Sequence, residues 1–194
     1  MMKICLLILL ALHLSLSSCT YVKQVIERIR EIPNSFESSD SAVIRERLED
    51  LIQNRDYTTA VDLIMAEVEN GKYETTYDGL YVASINGLIK SGMEYYAKGD
   101  YGRAGITFTK AINNFPSSRS LEARIKSSPR EIKSYIKKLT DKLMGEGLKE
   151  YRSGNLGNAI STWRKIVEYH PDHSEANKMI DTTTIQMKNL KKIE

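Results

Sequence analysis

Two stretches of the sequence place similar residues at the same distances, although few of their letters are identical. "YYAKGDYGRAGITFTKAINNFP" begins at position 95, and "EYRSGNLGNAISTWRKIVEYHP" begins at position 150. In each stretch a glycine precedes Asp100 or Asn155, which predicts that one helix stops there and the next begins. An alanine and a large aromatic residue follow, and a final proline forbids the second helix from continuing. The pattern therefore predicts two helix-turn-helix units.

Helical periodicity extends over most of the remaining chain. The sequence contains only four prolines, and valine and threonine do not form the runs that are typical of strands. Apolar residues recur at helical spacing in three pairs of segments and in one last helix. The expected fold class is all-α, with helices at about 42–54, 57–71, 78–98, 101–114, 129–153, 156–169 and 172–190.

The paired segments resemble the tetratricopeptide repeat, a helix-turn-helix unit of about 34 residues. The resemblance implies that glycine and alanine let the two helices of a pair approach closely, and that an aromatic ring fills the space beside this contact. The residues that match the packing positions of the repeat are Gly92, Ala104, Phe108, Pro116, Gly147, Ala159, Trp163 and Pro171.

The spacing of the units departs from a simple tandem array. The intervals between the matching alanines Ala60, Ala104 and Ala159 both exceed the family's repeat length of about 34 residues, and the second interval is the longer. The first pair lacks the small residue, the aromatic residue and the proline, as terminal repeats often do. The added residues before Ala159 form either a helix between repeats or a longer first helix of the last repeat. We therefore expect a short, irregular array of tetratricopeptide-like repeats with a C-terminal capping helix.

The N-terminal segment, 1–18, has the composition of an export signal. One lysine is followed by an apolar run over positions 4–14, which is short for a membrane span. The segment Leu16-Ser17-Ser18-Cys19 resembles the bacterial lipobox, which implies cleavage before Cys19 and attachment of acyl chains such as palmitate to that residue. The alternatives are an ordinary cleaved signal peptide and a poorly chosen start codon. Thr20, by resemblance to known sorting behaviour, favours the outer membrane over the inner membrane or the cell surface.

The predicted organisation has three parts. Residues 1–18 are a lipoprotein signal peptide, residues 19–40 are the lipidated cysteine and a linker, and residues 41–194 are the repeat domain. A short amphipathic segment at residues 21–32 either lies near the bilayer surface or packs on the domain.

Several function classes find no support in the sequence. The formal charge of +3 comes from 28 basic and 25 acidic residues that are mixed along the chain, so nucleic-acid binding is not expected. Cys5 would leave with the signal and Cys19 would carry lipid, which leaves no thiol for a disulfide, a metal site or catalysis. His170 and His173 flank Pro171, which disturbs the helix that a metal pair would need. We expect a protein that is not an enzyme and has no cofactor and no metal.

The resemblance also implies a binding groove, because in this family the first helix of each pair lines a concave surface. This surface would be apolar and aromatic, with methionines that adapt to a partner, and would suit an amphipathic helix or an apolar segment. The alternative is that the inserted helices or residues 21–32 fill the groove as core. The groove residues would be Asn86, Ile89, Met93, Tyr96, Asp141, Met144, Leu148 and Tyr151.

The expected function is that of a lipid-anchored periplasmic scaffold or adaptor, which binds another envelope protein or a peptide segment through this groove. An alternative from a different class is a transporter-associated lipoprotein that holds an apolar small molecule or chain in the repeat cavity. Such a cavity would be lined by Met93, Tyr96, Met144, Leu148 and Tyr151. A self-assembling structural lipoprotein is the third possibility.

Overall fold

A computed structural model describes residues 41–190 of the chain. The predicted signal peptide, the lipid-attachment residue Cys19 and the amphipathic segment at 21–32 lie outside the described residues. The backbone divides into two units, Met1–Ile44 and Arg45–Glu194, and the site and its packing belong to the second. Residues 41–190 are helical and contain no strand, so the all-α fold class is confirmed.

Eight α-helices and one 3-10 helix follow one another in residues 41–190. The 3-10 helix, Thr75–Tyr77, leads directly into the third α-helix. The α-helices are α1 Ser41–Gln53, α2 Tyr57–Glu69, α3 Asp78–Ala97, α4 Tyr101–Asn113, α5 Arg119–Glu122, α6 Pro129–Arg152, α7 Leu156–Tyr169 and α8 Ser174–Leu190.

The same turn joins α1 to α2, α3 to α4, and α6 to α7. In each turn one residue has a left-handed backbone: Arg55 with φ 60°, Gly99 with φ 76° and Gly154 with φ 79°. The N–H of the next residue donates a hydrogen bond to a carbonyl five residues back, for example from Asp100 to Tyr95 at 2.9 Å. This bonding satisfies the last carbonyls of the first helix and reverses the chain.

The residue after each turn begins the next helix. The carboxylate of Asp56 accepts a hydrogen bond from the Thr59 N–H, and that of Asp100 accepts one from the Arg103 N–H. Asn155 instead donates its side-chain amide to Glu150 at 2.9 Å. Two of the three turns thus have the side-chain cap that acidic residues supply at helix starts.

Within a helix pair, a glycine of the first helix faces an aromatic ring of the second. A Cβ atom on Gly92 would lie 2.7 Å from the ring of Phe108, and a Cβ atom on Gly147 would overlap the indole of Trp163. Both rings are fully buried. Close approach in both pairs is therefore possible because the glycines leave room for a ring.

The last two pairs pack on each other through α4, whereas the first pair packs on the second through α2 and α3. The ring of Phe108 stacks on that of Tyr135 in α6, with centroids 5.4 Å apart and planes inclined by 18°. The ring of Tyr169 at the end of α7 occupies the space that Gly105 leaves open. Helix α4 therefore lies in the core of the array, in contact with α3, α6 and α7.

The residues between α4 and α7 form a short helix and a long one. Helix α5 contributes the buried Leu121. Helix α6 begins with a capping box, in which Ser128 and Glu131 exchange hydrogen bonds, and with Pro129 at its first turn. Both of the arrangements that the sequence left open are present, since a helical turn separates the pairs and α6 is 24 residues long.

The helices of the described range are either too short or too polar for a bilayer. None of those in residues 41–190 is both long enough and apolar enough to cross a membrane.

Candidate binding site

An open cleft runs along one side of α3. It has a volume of about 430 Å³ and lies between α3, the end of α1, the start of α2 and the segment before α6. We call it the α3 cleft. Its apolar surface comes from three helices and consists of Ile52, Tyr57, Ala83, Ile89 and Met93.

Asn86 fixes one wall of the α3 cleft. Its side-chain oxygen accepts a hydrogen bond from the Lys126 N–H at 2.8 Å, and its amide donates to the carbonyl of Arg124 at 3.3 Å. Both bonds hold the segment before α6 against α3. The predicted groove residue Asn86 therefore binds the chain's own backbone, and this segment narrows the predicted groove.

A glycine shapes the opposite wall. A Cβ atom on Gly87 would overlap the ring of Tyr57, so the missing side chain lets this ring lie against the backbone of α3. The Tyr57 ring is half-buried and lines the cleft. Tyr57 belongs to the degenerate first pair, and its role in the wall could not be read from the repeat pattern.

The α3 cleft continues into a smaller depression beyond Met93. This depression has a volume of about 230 Å³ and lies against the first turns of α6, where it is lined by Glu131, Tyr135 and Lys138. Met93 lines both spaces, and its side chain is half-buried. An unbranched thioether at this junction can adjust to what lies on either side.

The charge at the rim of the α3 cleft is positive. Lys90 and Lys126 line the cleft, and neither forms an ion pair within residues 41–190. Lys138 lies over the ring of Tyr135, with its ammonium 5.6 Å from the centroid. Glu131 lines the smaller depression, where its Oε2 accepts hydrogen bonds from the N–H and the hydroxyl of Ser128. These bonds keep the pKa of this carboxyl below its usual value. The larger space therefore combines an apolar floor with cations at its edge.

The remaining predicted groove residue of α3 lies beyond the cleft. The ring of Tyr96 packs edge-on against Tyr101 and Tyr135, with centroids 5.5 and 5.8 Å away. Tyr135 is not among the predicted groove or packing residues, although Ile132, Tyr135 and Leu139 recur at helical spacing in α6. That stripe was the available signal for a packing face.

The four predicted groove residues of α6 do not join the α3 cleft. Asp141 is exposed and pairs with Lys137 at 2.7 Å. The side chains of Met144 and Leu148 are half-buried, and the Met144 carbonyl accepts a hydrogen bond from the Trp163 indole at 3.4 Å. Tyr151 reaches α8, where its hydroxyl donates to Gln186 at 2.8 Å. Helix α8 thus borders this part of the predicted groove.

The two histidines of the described chain lie next to each other before α8, and His173 caps the start of this helix. Nδ1 of His173 accepts a hydrogen bond from the N–H of Ala176 at 3.1 Å, in the first turn of α8. The ring of His170 lies edge-on to that of His173, with centroids 5.2 Å apart. No group of three His, Cys, Asp or Glu side chains within the described range could hold a metal ion.

A tyrosine cluster packs the start of α3. The ring of Tyr73 lies edge-on to Tyr77 and Tyr81, with centroids 5.9 and 6.4 Å away. The Tyr73 hydroxyl donates to Asp78 at 2.7 Å, and burial together with this bond raises the pKa of Tyr73. The Tyr81 hydroxyl donates to the carbonyl of Asn114 at 2.8 Å. The first bond ties the segment before α3 to the start of α3, and the second ties α3 to the end of α4.

Comparison with known proteins gives no match: neither a family model, nor a curated protein, nor a solved structure aligns with this chain. The geometry of the α3 cleft is therefore the basis for a functional proposal.

Proposed function

We propose that this protein is a lipid-anchored adaptor of the bacterial envelope, with a domain of tetratricopeptide-like repeats and no enzymatic role. The observation that carries the proposal is the α3 cleft, in which an apolar floor adjoins two lysines without ion-pair partners in the described chain. Such a cleft can bind a partner through the shape of its apolar floor and through the positive charge of its two lysines.

The repeat assignment is supported by features that recur along the chain. The turns after α1, α3 and α6 have the same hydrogen bonds. The contact of Gly92 with Phe108 in one helix pair recurs as that of Gly147 with Trp163 in the next. Helix pairs that stack on their neighbours in this way are the building principle of repeat proteins.

The proposed occupant of the α3 cleft is an amphipathic segment of an envelope protein. Apolar side chains of this segment would contact Ile89 and Met93, and its acidic side chains would lie beside Lys90 and Lys126. Helical segments dock in grooves through apolar residues three or four positions apart, and complementary charges at the rim raise the association rate. The half-buried Met93 suits a partner of irregular shape.

The proposed location is the periplasmic face of the outer membrane. This part of the proposal rests on the lipobox-like residues that end at Cys19 and on Thr20. Each buried methylene of an acyl chain contributes about 0.8 kcal/mol, so several chains on one cysteine would hold the domain at the membrane permanently.

A photo-crosslinking amino acid at Met93 tests the adaptor function in intact cells. The matched control carries the same amino acid at Lys149, which is exposed on α6 and lines neither space of the α3 cleft. We expect one envelope protein to be crosslinked from position 93 and not from position 149. Equal adducts from both positions would contradict the proposal.

A synthetic peptide of the crosslinked segment then gives a quantitative test. We expect the double variant Lys90→Glu, Lys126→Glu to bind this peptide about tenfold more weakly or worse, since two attractions become repulsions. Lys149→Glu is the control for net charge. Unchanged binding of the peptide by the double variant would exclude the α3 cleft as the docking site.

A second candidate function is favoured by the size of the same cleft. Its volume of about 430 Å³ falls in the range of small-molecule sites, roughly 300–1,000 Å³. An apolar small molecule there would raise the melting temperature of the wild-type domain. Ala83→Leu, which adds bulk to the cleft floor, should abolish this shift if the molecule binds there.

A further inference from the structure

A second cleft lies at the other end of the array, between α7 and α8. It has a volume of about 350 Å³ and is separate from the α3 cleft, because the two share no lining residue. Its floor is apolar and is formed by Ile160, of which 7% is exposed, and by Met187 from the facing helix. We call it the α7–α8 cleft.

A glycine without a structural role borders the α7–α8 cleft. Gly157 lies in the first turn of α7, and its φ is not in the left-handed region. A Cβ atom built on Gly157 would meet no atom within 4 Å. Neither backbone conformation nor close packing therefore requires glycine there. What its missing side chain provides is open space in the cleft.

Two cations flank this space, one from each helix. Arg164 comes from α7 and Lys188 from α8. Both are exposed, and neither forms an ion pair with any residue in the range 41–190. An anionic group at the mouth of the cleft would be attracted from both sides, while its apolar part lay along the floor.

The volume of the cleft limits its occupant. At about 350 Å³ it is near the lower end of the range for small-molecule sites, roughly 300–1,000 Å³, which suits one acyl chain. We propose that the α7–α8 cleft binds a fatty-acid carboxylate, with the acyl chain against Ile160, Met187 and Gly157 and the carboxylate between Arg164 and Lys188. The charge selects an anionic head group, and the small apolar volume limits the occupant to one acyl chain.

Calorimetric titration with dodecanoate tests this site. The full chain is used with Cys19→Ala, so that the protein carries no acyl group of its own. We expect saturable binding of one dodecanoate at concentrations where it is monomeric. Dodecyltrimethylammonium, which has a chain of the same length and the opposite charge, should bind at least about tenfold more weakly.

Variants locate the binding. Gly157→Leu fills the open space and should weaken dodecanoate binding at least about tenfold, whereas Gly145→Leu should not change it. Gly145 is the matched control because it is also a helical glycine with no atom within 4 Å of an added Cβ. Arg164→Gln and Lys188→Gln should each weaken binding about threefold to tenfold, and Lys178→Gln, elsewhere on α8, should leave it unchanged.

Three outcomes would overturn the proposal. The first is that folded Gly157→Leu binds dodecanoate as tightly as the wild-type chain does. The second is equal affinity for the anionic and cationic amphiphiles, which would indicate apolar adsorption without a role for the two cations. The third is binding to anionic phosphatidylglycerol vesicles in the absence of any binding to monomeric dodecanoate, which would assign the surface to a membrane.

Discussion

Gly147 and Trp163 lie so close together that a methyl group on the glycine would overlap the indole ring. Trp163 is fully buried, and its Nε1–H donates a hydrogen bond to the carbonyl of Met144 at 3.4 Å. This hydrogen bond fixes the ring against the backbone of α6. The contact joins the two helices of the last pair and has a counterpart in Gly92 and Phe108.

Substitution of Gly147 by alanine should therefore destabilise the domain. The added methyl group must displace a buried ring, and overpacking of this kind costs about 1–3 kcal/mol. Gly145→Ala is the matched control, because Gly145 lies in the same helix and its Cβ would meet nothing within 4 Å. It should stabilise the helix by about 0.5–1 kcal/mol. Urea unfolding measures both, and equal stability of the two variants would contradict the packing described here.

The environment of the Thr183 hydroxyl in α8 indicates that a substitution at this position would stabilise the domain. Thr183 is fully buried, and its hydroxyl has no hydrogen-bond partner in the part of the chain that the structure describes. Valine has the same shape and no polar atom, so Thr183→Val should raise the free energy of unfolding by about 1–2 kcal/mol. Thr183→Ser keeps the hydroxyl and loses the methyl group, and should be less stable than the wild type. A valine variant that is less stable than the wild type would show that the Thr183 hydroxyl has a hydrogen-bond partner.

Tyr169 predicts a loss of stability at high pH. Burial raises the pKa of Tyr169 from 10.0 to about 12, against the opposing effect of the hydrogen bond with Thr140. Between about pH 10 and pH 12 the unfolded chain therefore binds fewer protons than the folded one, and stability falls as the pH rises. Ionisation of Tyr169 leaves stability unaffected below about pH 10, and the full loss, reached above about pH 12, amounts to roughly 2–3 kcal/mol because burial penalises the phenolate.

The variant Tyr169→Phe isolates this contribution. The substitution removes the hydrogen bond with Thr140 and should lower the free energy of unfolding by about 1 kcal/mol at pH 8. Because phenylalanine does not titrate, the variant should lose less stability than the wild type between pH 8 and pH 11. Melting temperatures of both proteins at the two pH values measure the difference. Parallel pH profiles would mean that Tyr169 titrates as an exposed tyrosine does.

The proposed lipidation of Cys19 predicts that membrane attachment of the protein depends on this residue. Cys19→Ala should abolish incorporation of radiolabelled palmitate and release the protein into the soluble periplasmic fraction, because the proposed acyl chains would supply the anchoring free energy. Cys5→Ala is the control and should change neither property. Unaltered labelling of the Cys19 variant would exclude lipidation at this residue.

Much of the local structure could be predicted from the sequence because its signals act over a few residues. Gly99 and Gly154 end helices since glycine adopts a left-handed backbone at little cost, and Asp100 begins the next helix by accepting the Arg103 N–H. Arg55 occupies the same position in the first turn, where the sequence carries no glycine. Its guanidinium binds Glu94 at 2.9 and 3.0 Å, a contact between distant parts of the chain that no local pattern reveals.

The candidate site depends on contacts between residues that are far apart in the sequence. The repeat resemblance placed Asn86 and Met93 on one surface, and both line the α3 cleft. It could not indicate that Asn86 would bind the backbone at Lys126, since this bond requires the inserted segment to fold back on α3. Nor could it indicate that Tyr151 would bond to Gln186 on the capping helix.

The sequence by itself determined the helices, their turns and the glycine positions that admit Phe108 and Trp163, because backbone sterics and capping act within a few residues of each other. Only the tertiary structure decided which surfaces stay open. The inserted segment narrows the predicted groove at Asn86, α8 borders it at Tyr151, and Gly157 leaves a cleft between α7 and α8. These outcomes depend on many weak contacts between residues far apart in the chain, and such contacts leave no periodic pattern in the sequence.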